Sequence, residues 1–431
     1  MPKRPTWLIA AVAAVTLVVV GGLIMWLKTP AHGPHKVKVT PQQAIDVHQK
    51  LLTIDTHVDI PPEWASDKFD SLHNPRYDFD LERMRQGGLK AAFFIVYVPQ
   101  GPRTVAGNAE AVSEAFAKFA AIHRMTDERN ANIIELAHTA DDVERISASN
   151  KLVALIGIEN GYALGHHPEL LKMYYDLGAR YLGLAYNGVN DLADGGMADG
   201  FGATGAQAPE FHGLSEFGKQ VIAECNRLGI MVDVAHSSHD VQMQAAALSK
   251  APIIDSHTGV DAIDDSPRNL DDDALRAIAN TGGVVQIFAW DGYVKAVPKE
   301  KLDALAGLRQ QFNMGPGHYP QNFSDDEWNR YQAALAAIDA KWPRASVADL
   351  ADHIDHAVKV IGVDHVGIAS DFGGGQGIQG WMNVAETPNV TAELLTRGYT
   401  EDDLAKMWGG NILRVMRAVA KEAEKEQARG Q

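Results

Sequence analysis

From residue 42 onward the chain alternates short β-branched or apolar runs with longer segments of helical period. Eight runs read as strands: LLTID (51–55), AAFFIVYV (91–98), LVALIGI (152–158), YLGLAY (181–186), IMVDVA (230–235), PIID (252–255), GVVQIFA (283–289) and HVGIAS (365–370). Between them, AGNAEAVSEAFAKFAAIHRM, GLSEFGKQVIAECNRLG, DDDALRAIANTG and SVADLADHIDHAVKVIG carry the spacing of amphipathic helices. Ser346 with Asp349 reads as a capping box opening the last of these. Strands alternating with helices predict a parallel sheet with crossover connections. Eight such units predict a (β/α)8 barrel of the TIM type with enlarged loops, a doubly wound open sheet being the second architecture. Residues 187–212 are too Gly-rich for regular structure and read as a lid or pocket wall. Residues 291–345 interrupt the rhythm with an insertion that includes the helical piece SDDEWNRYQAALAAIDAKW. The closing segment TEDDLAKMWGGNILRVMRAVAKEAEKEQ reads as a helix pair with a charged, fraying end.

The hydropathy of the first 28 residues is different. After Lys3 and Arg4, Trp7 to Leu27 form an uncharged stretch of 21 residues, about the length a helix needs to cross a hydrocarbon core. No convincing small-x-small cleavage site follows, so the stretch reads as an uncleaved signal anchor rather than a removed leader. The basic residues before it place the remainder outside the cytoplasm. The expected organisation is a transmembrane helix (1–28), a Pro- and Gly-containing linker (29–41) and one folded domain (42–431).

Composition narrows the chemistry. With 46% hydrophobic residues among 431, the chain can bury a large core. Its 39 basic and 55 acidic residues leave a net charge of -16, which argues against nucleic acid as a partner. A single cysteine, Cys225, excludes an intrachain disulfide and any cysteine-rich zinc site. It reads as a small core residue.

In a barrel the C-terminal strand ends share one rim. The polar residues there are His57 and Asp59 after the first run, Glu159 after the third, His236 after the fifth, His257 after the sixth and Asp371 after the eighth. Singly, each reads as a helix cap or a hydrogen-bonded rim residue. Together, three imidazoles and three carboxylates at five strand ends favour a site for zinc or another divalent first-row ion. Six candidates exceed what one tetrahedral ion with an open position needs, so two ions sharing a carboxylate is the economical arrangement. Asp233 and Asp255, inside strands, either orient ligating histidines or act as caps and ion-pair partners. His353 and His356 share a helix face and read as a solvated pair. GHHPEL reads as a helix-start loop and DFGGGQG as a flexible rim.

These residues stand in blocks that resemble the membrane dipeptidase (renal dipeptidase) family of binuclear zinc peptidases: IDTHVDIP, LIGIENGYAL, LGLAYNGVND, GLSEFGKQVIAECNRLGIMVDVAHSS, PIIDSHTGV, RNLDDDALRAIANTGGVVQI, HIDHAVKVIGVDHVGIASDFGG and GGNILRVM, from about residue 45 to 418. The resemblance implies the same barrel and two zinc ions, one held by His57 and Asp59, the other by His236 and His257, with Glu159 bridging. It further implies Asp371 as proton shuttle, Arg268 as the ligand of the substrate's terminal carboxylate, dipeptide substrates including those with a C-terminal D-residue, and a homodimer. Where the family commonly has a histidine against the substrate carbonyl, this sequence has Tyr186, whose phenol retains a hydrogen-bond donor. The disulfides of animal members have no counterpart here.

The chemistry expected of such a site is amide hydrolysis. A hydroxide bridging two cations would attack the carbonyl, Asp371 would take its proton and pass it to the leaving nitrogen, and Tyr186 would complete the oxyanion site. From spacing alone, Arg268 serves equally as a bidentate partner for a carboxylate or as a surface residue balancing Asp264 and Asp265. The alternatives are a related amidohydrolase opening a lactam, lactone or N-acyl amino acid, and a non-catalytic anchored binding protein.

Overall fold

The computed structural model describes residues 37–429 except 67–68, 197–207, 316–319 and 376. The expected anchor, most of the linker and the centre of the Gly-rich loop lie outside the described residues. No helix among those described is long and apolar enough to cross a membrane.

Among the described residues nine strands form one parallel sheet: β1 (Ile54–Asp59), β2 (Ala91–Tyr97), β3 (Ile134–Leu136), β4 (Leu152–Glu159), β5 (Ala179–Gly183), β6 (Met231–Asp233), β7 (Ile254–Thr258), β8 (Val284–Phe288) and β9 (Val366–Ala369). Eight run in the order β1-β2-β4-β5-β6-β7-β8-β9, and the short β3, which the apolar pattern does not reveal, pairs with β4. A parallel bridge between Val58 and Phe372 and the bond from Asp59 N–H to the Phe372 carbonyl at 2.7 Å join the last strand to the first. The ring is therefore that of a TIM-type barrel rather than an open sheet.

Strand alternation assigns the faces. Ala91, Phe93 and Ile95 of β2 and Val153 and Leu155 of β4 fill the barrel interior with Ile54, Tyr181, Met231, Ile254 and Val284. The intervening Phe94, Val96, Ala154 and Ile156 pack against the surrounding helices. The helix Asn411–Arg429 closes the bottom, adding Ile412, Leu413, Met416 and Val419 to the interior cluster. Gly157 is required by this packing, because a Cβ there would lie 2.1 Å from the Tyr181 ring that crosses the barrel.

Helix boundaries follow their caps. Ser346 and Asp349 form the expected capping box, and Ser324 with Glu327 forms another at the start of the insertion helix Asp325–Lys341. Cys225 is buried, as expected. Three expectations need correction. His353 is fully buried, not solvated: its Nδ1 accepts from Val260 N–H at 2.9 Å and its Nε2 lies 2.9 Å from the Val294 carbonyl, joining two rim loops. Only His356 reaches the surface, beside Asp272. The closing helix pair is one continuous helical run, because a π-helical turn at Lys406–Gly410 bridges Glu401–Ala405 to Asn411–Arg429 instead of a loop. The glycines after Asp371 are not a loose rim: Gly373 has φ +87° and packs where a Cβ would meet the Asp59 carbonyl at 2.2 Å.

Candidate active site

The six sequence candidates converge at the C-terminal rim. His57 and Asp59 lie at the end of β1, Glu159 ends β4, His257 lies in β7, and His236 and Asp371 follow β6 and β9. A register irregularity between Asp55 and Val58 re-aims the end of β1. His236 and Asp371 adopt the left-handed backbone region, with φ of 60° and 62°, which turns each side chain back from the departing loop toward the mouth. Backbone bonds hold both there: Gly196 N–H donates to the His236 carbonyl at 2.6 Å, and Asp371 N–H donates to the His57 carbonyl at 3.1 Å.

Glu159 is the centre of the group. Its Oε2 lies 3.5 Å from His57 Nε2, while its Oε1 lies 3.0 Å from His236 Nε2 and 3.6 Å from His257 Nε2. Asp59 and Asp371 each place a carboxylate oxygen 3.9 Å from His57 Nε2. Two overlapping donor sets result, His57 with Glu159 and His257, and His57 with Asp59 and Asp371.

The hydrogen bonds behind the imidazoles fix their tautomers. Tyr181 O–H donates to the Thr56 carbonyl at 3.0 Å, so at 3.1 Å it accepts from His57 Nδ1. Ser256 O–H donates to Asp233 at 2.6 Å and so accepts from His257 Nδ1 at 2.9 Å. His236 Nδ1 donates to Asn187 Oδ1 at 2.9 Å. All three rings therefore turn an Nε2 lone pair to the same place, and His236 and His257 face each other there at 2.9 Å. Two facing lone pairs repel unless a cation lies among them. His57 Nε2 and Asp59 Oδ1 are moreover buried without a hydrogen-bond partner. The donor set fits divalent first-row ions held by imidazole and carboxylate.

Charge tells the same story. Burial works against an imidazolium at His57, yet Glu159, Asp59 and Asp371 outweigh it and push the pKa up to about 9. Burial would raise Glu159, but His57 and His236 hold it well below the usual carboxylate range. Burial raises Asp59 to about 6 and, with Asp59 and Glu159 adding repulsion, lifts Asp371 well above its ordinary value. Burial and the Arg268 charge lower His236 to about 4, and burial with His57 and Arg268 lowers His257 as well. The carboxylates that raise the His57 pKa thus favour any cation, proton or metal, at its Nε2, while burial keeps the other two imidazoles neutral.

Arg268 is not a surface residue balancing Asp264 and Asp265: it is 3% exposed, bonds the His257 carbonyl through Nη2 at 2.5 Å, and lies 5.2 Å above the Phe288 ring. Its Nε has no partner. Tyr186 is half-buried, its ring 4.6 Å from His236 and 4.9 Å from Tyr97. Asp233 acts behind His257 through Ser256, whereas Asp255 accepts from the His257 backbone N–H at 3.3 Å. Sequence reasoning missed Tyr97, Tyr181, Asn187 and Ser256. Inward parity along β2 and β5 was the available signal for the two tyrosines, and none marked the other two.

Comparison with known proteins agrees with this geometry. The family described as membrane dipeptidase (peptidase family M19) matches residues 41–430. Dipeptidase verJ of Clonostachys rogersoniana is 30% identical over 88% of this chain and 87% of its own length, and Dipeptidase 3 of Rattus norvegicus is 29% identical over 89% and 68%. The crystal structure of the probable dipeptidase PvdM from Pseudomonas aeruginosa superposes with a TM-score of 0.75 at 32% identity, covering 89% of this chain and 99% of that one. The chain belongs to the membrane dipeptidase family and is a metal-dependent hydrolase.

Proposed function

We propose that this chain hydrolyses the peptide bond of dipeptides, those with a C-terminal D-residue included, using two divalent first-row cations, zinc foremost. The observation that carries the reading is the division of Glu159: one carboxylate oxygen faces His57, the other faces His236 and His257. His57 and Asp59 would hold one ion, His236 and His257 the second, with Glu159 between them. Bound there, the ions would supply an activated water and polarise the amide carbonyl.

The protein's own groups do the rest. Asp371, lifted in pKa by burial and its carboxylate neighbours, takes a proton from the attacking water and returns it to the leaving nitrogen. Arg268, with an unpartnered Nε beside His257, anchors the substrate's free carboxylate. Tyr186 donates to the oxyanion from the His236 side. The apolar stretch 7–27 anchors the enzyme with its barrel outside the cytoplasm, which fractionation of the full chain tests: activity in the soluble fraction alone would remove the anchor.

The main test is metal analysis of purified protein with a dipeptide assay before and after chelation. Close to two ions per chain, loss of activity on chelation and recovery with zinc are expected; full activity without metal sinks the proposal. A second reading, an amidohydrolase acting on a lactam, lactone or N-acyl amino acid, is favoured by Tyr186 alone, and a substrate panel separates the two.

A further inference from the structure

Tyr97 closes β2 directly opposite Glu159 in the β2–β4 register. It continues the inward series of Ala91, Phe93 and Ile95, so its ring points into the barrel mouth. The Tyr97 and Tyr186 hydroxyls are hydrogen-bonded to each other, and their rings lie 4.9 Å apart at 57°. On its other side Tyr97 meets a cation. Lys118, from the helix Val105–Met125, is 5% exposed, and its Nζ lies 5.1 Å from the Tyr97 ring centroid. Burying an ammonium is costly unless something compensates it. Burial pulls the Lys118 pKa below its ordinary value, and the ring face with the charges of Asp59, Glu114, Glu159 and Glu63 behind it offsets part of that cost.

We infer that Tyr97 and Lys118 are positioning residues for Tyr186, rather than packing residues beside the site. A hydroxyl has one proton. If Tyr186 gives its proton to Tyr97, it has none for the substrate. A positive charge against the Tyr97 ring strengthens Tyr97 as a donor, so Tyr97 O–H gives its hydrogen to Tyr186 Oη. The Tyr186 proton is then left to point toward the His236 side, where the oxyanion forms. Chained hydroxyls polarise one another in this direction. The bond from Tyr97 grows stronger as negative charge develops beyond Tyr186, so its effect belongs to the transition state. Lys118 acts only through Tyr97 and Tyr97 only through Tyr186; neither needs to touch substrate. The inference rests on the proposed role of Tyr186 in dipeptide hydrolysis.

The test is a double-mutant cycle on the zinc-loaded enzyme, with metal content and melting temperature measured for every variant. Tyr97→Phe keeps the ring and removes the donor. It is expected to lower kcat about tenfold, the size of one lost hydrogen bond, with KM changed less than about twofold. In a Tyr186→Phe background the same substitution is expected to cost nothing further. Lys118→Met is expected to lower kcat about threefold, and Lys118→Arg to restore it, since both cations sit over aromatic faces. Equal losses from Tyr97→Phe in both backgrounds overturn the inference, as does a change in melting temperature or metal content with kcat intact. If the wild-type enzyme with two ions bound hydrolyses no dipeptide, the proposed function falls, and this inference with it.

Discussion

The roles proposed for Asp371 and Arg268 make different demands on a substrate, and single substitutions separate them. Asp371→Asn keeps the shape and removes the proposed proton acceptor; kcat is expected to fall by about 10²–10⁴ while bound metal stays close to wild type. Retained full activity would exclude Asp371 as the shuttle. Arg268→Met removes the cation over Phe288. The wild type is expected to prefer a free dipeptide over its C-terminal amide by about tenfold or more, as charge-assisted bonds dictate. The variant should lose that preference, and unchanged discrimination would mean that the carboxylate binds elsewhere. At this scale the candidate ligand set was legible because three imidazoles and three carboxylates gather at five strand ends, although each alone reads as a cap or a rim residue. Arg268 was ambiguous, since only the folded rim shows it buried. Asn187 and Ser256 were silent because a residue that bonds the back of a histidine carries no marker of its own.

At the scale of elements, His48 is a joint. In the helix Pro41–Lys50 it is fully buried, with Nε2 against the Gly87 carbonyl at 3.0 Å and Nδ1 against Thr391 Oγ1 at 2.7 Å. Thr391 in turn accepts from Trp408 at 2.9 Å. Burial lowers the His48 pKa from 6.5 to about 4, so the folded protein keeps the ring neutral while the unfolded chain protonates it. Stability from this residue is complete above about pH 6.5, falls as the pH drops toward 4, and is then constant. The full loss is about 3 kcal/mol. Denaturant titrations at several pH values should show that slope, and His48→Gln should flatten it; an unchanged slope would mean that His48 titrates normally. Elements of this kind were legible in outline. The apolar runs marked all eight barrel strands, and Ser346 marked its helix. The short β3 and the π turn at Lys406–Gly410 were not, because each depends on its partner strand or neighbouring helix more than on local period.

At the scale of the molecule, the insertion between β8 and β9 stands apart from the barrel. Leu308, Phe312, Phe323 and Tyr331 give it a small core of its own. It is tied at its root by buried Lys301, which pairs with Asp291 at 2.8 Å and Asp339 at 3.5 Å. At its far end Arg76, from the loop after β1, bonds the Phe323 carbonyl and Asp325. β9 lies between β8 and β1 in the ring, so the insertion reaches across the strand that delivers Asp371. Arg76→Ala is expected to raise cleavage of residues 299–341 by limited proteolysis while the barrel's melting temperature stays within a few degrees; unchanged cleavage would show that the root alone holds the insertion. The sequence showed this segment as an interruption and nothing more, since its anchor point lies more than two hundred residues upstream.

The site draws its donors from β1, β4, β6, β7 and the exit of β9, the first and last strands of the ring included. A growing polypeptide therefore holds no finished pocket until Asp371, at the exit of β9, has left the ribosome. The ligands proposed for the ions are complete at His257, so it is closure of the ring by β9, which brings Asp371 to them, that finishes the site.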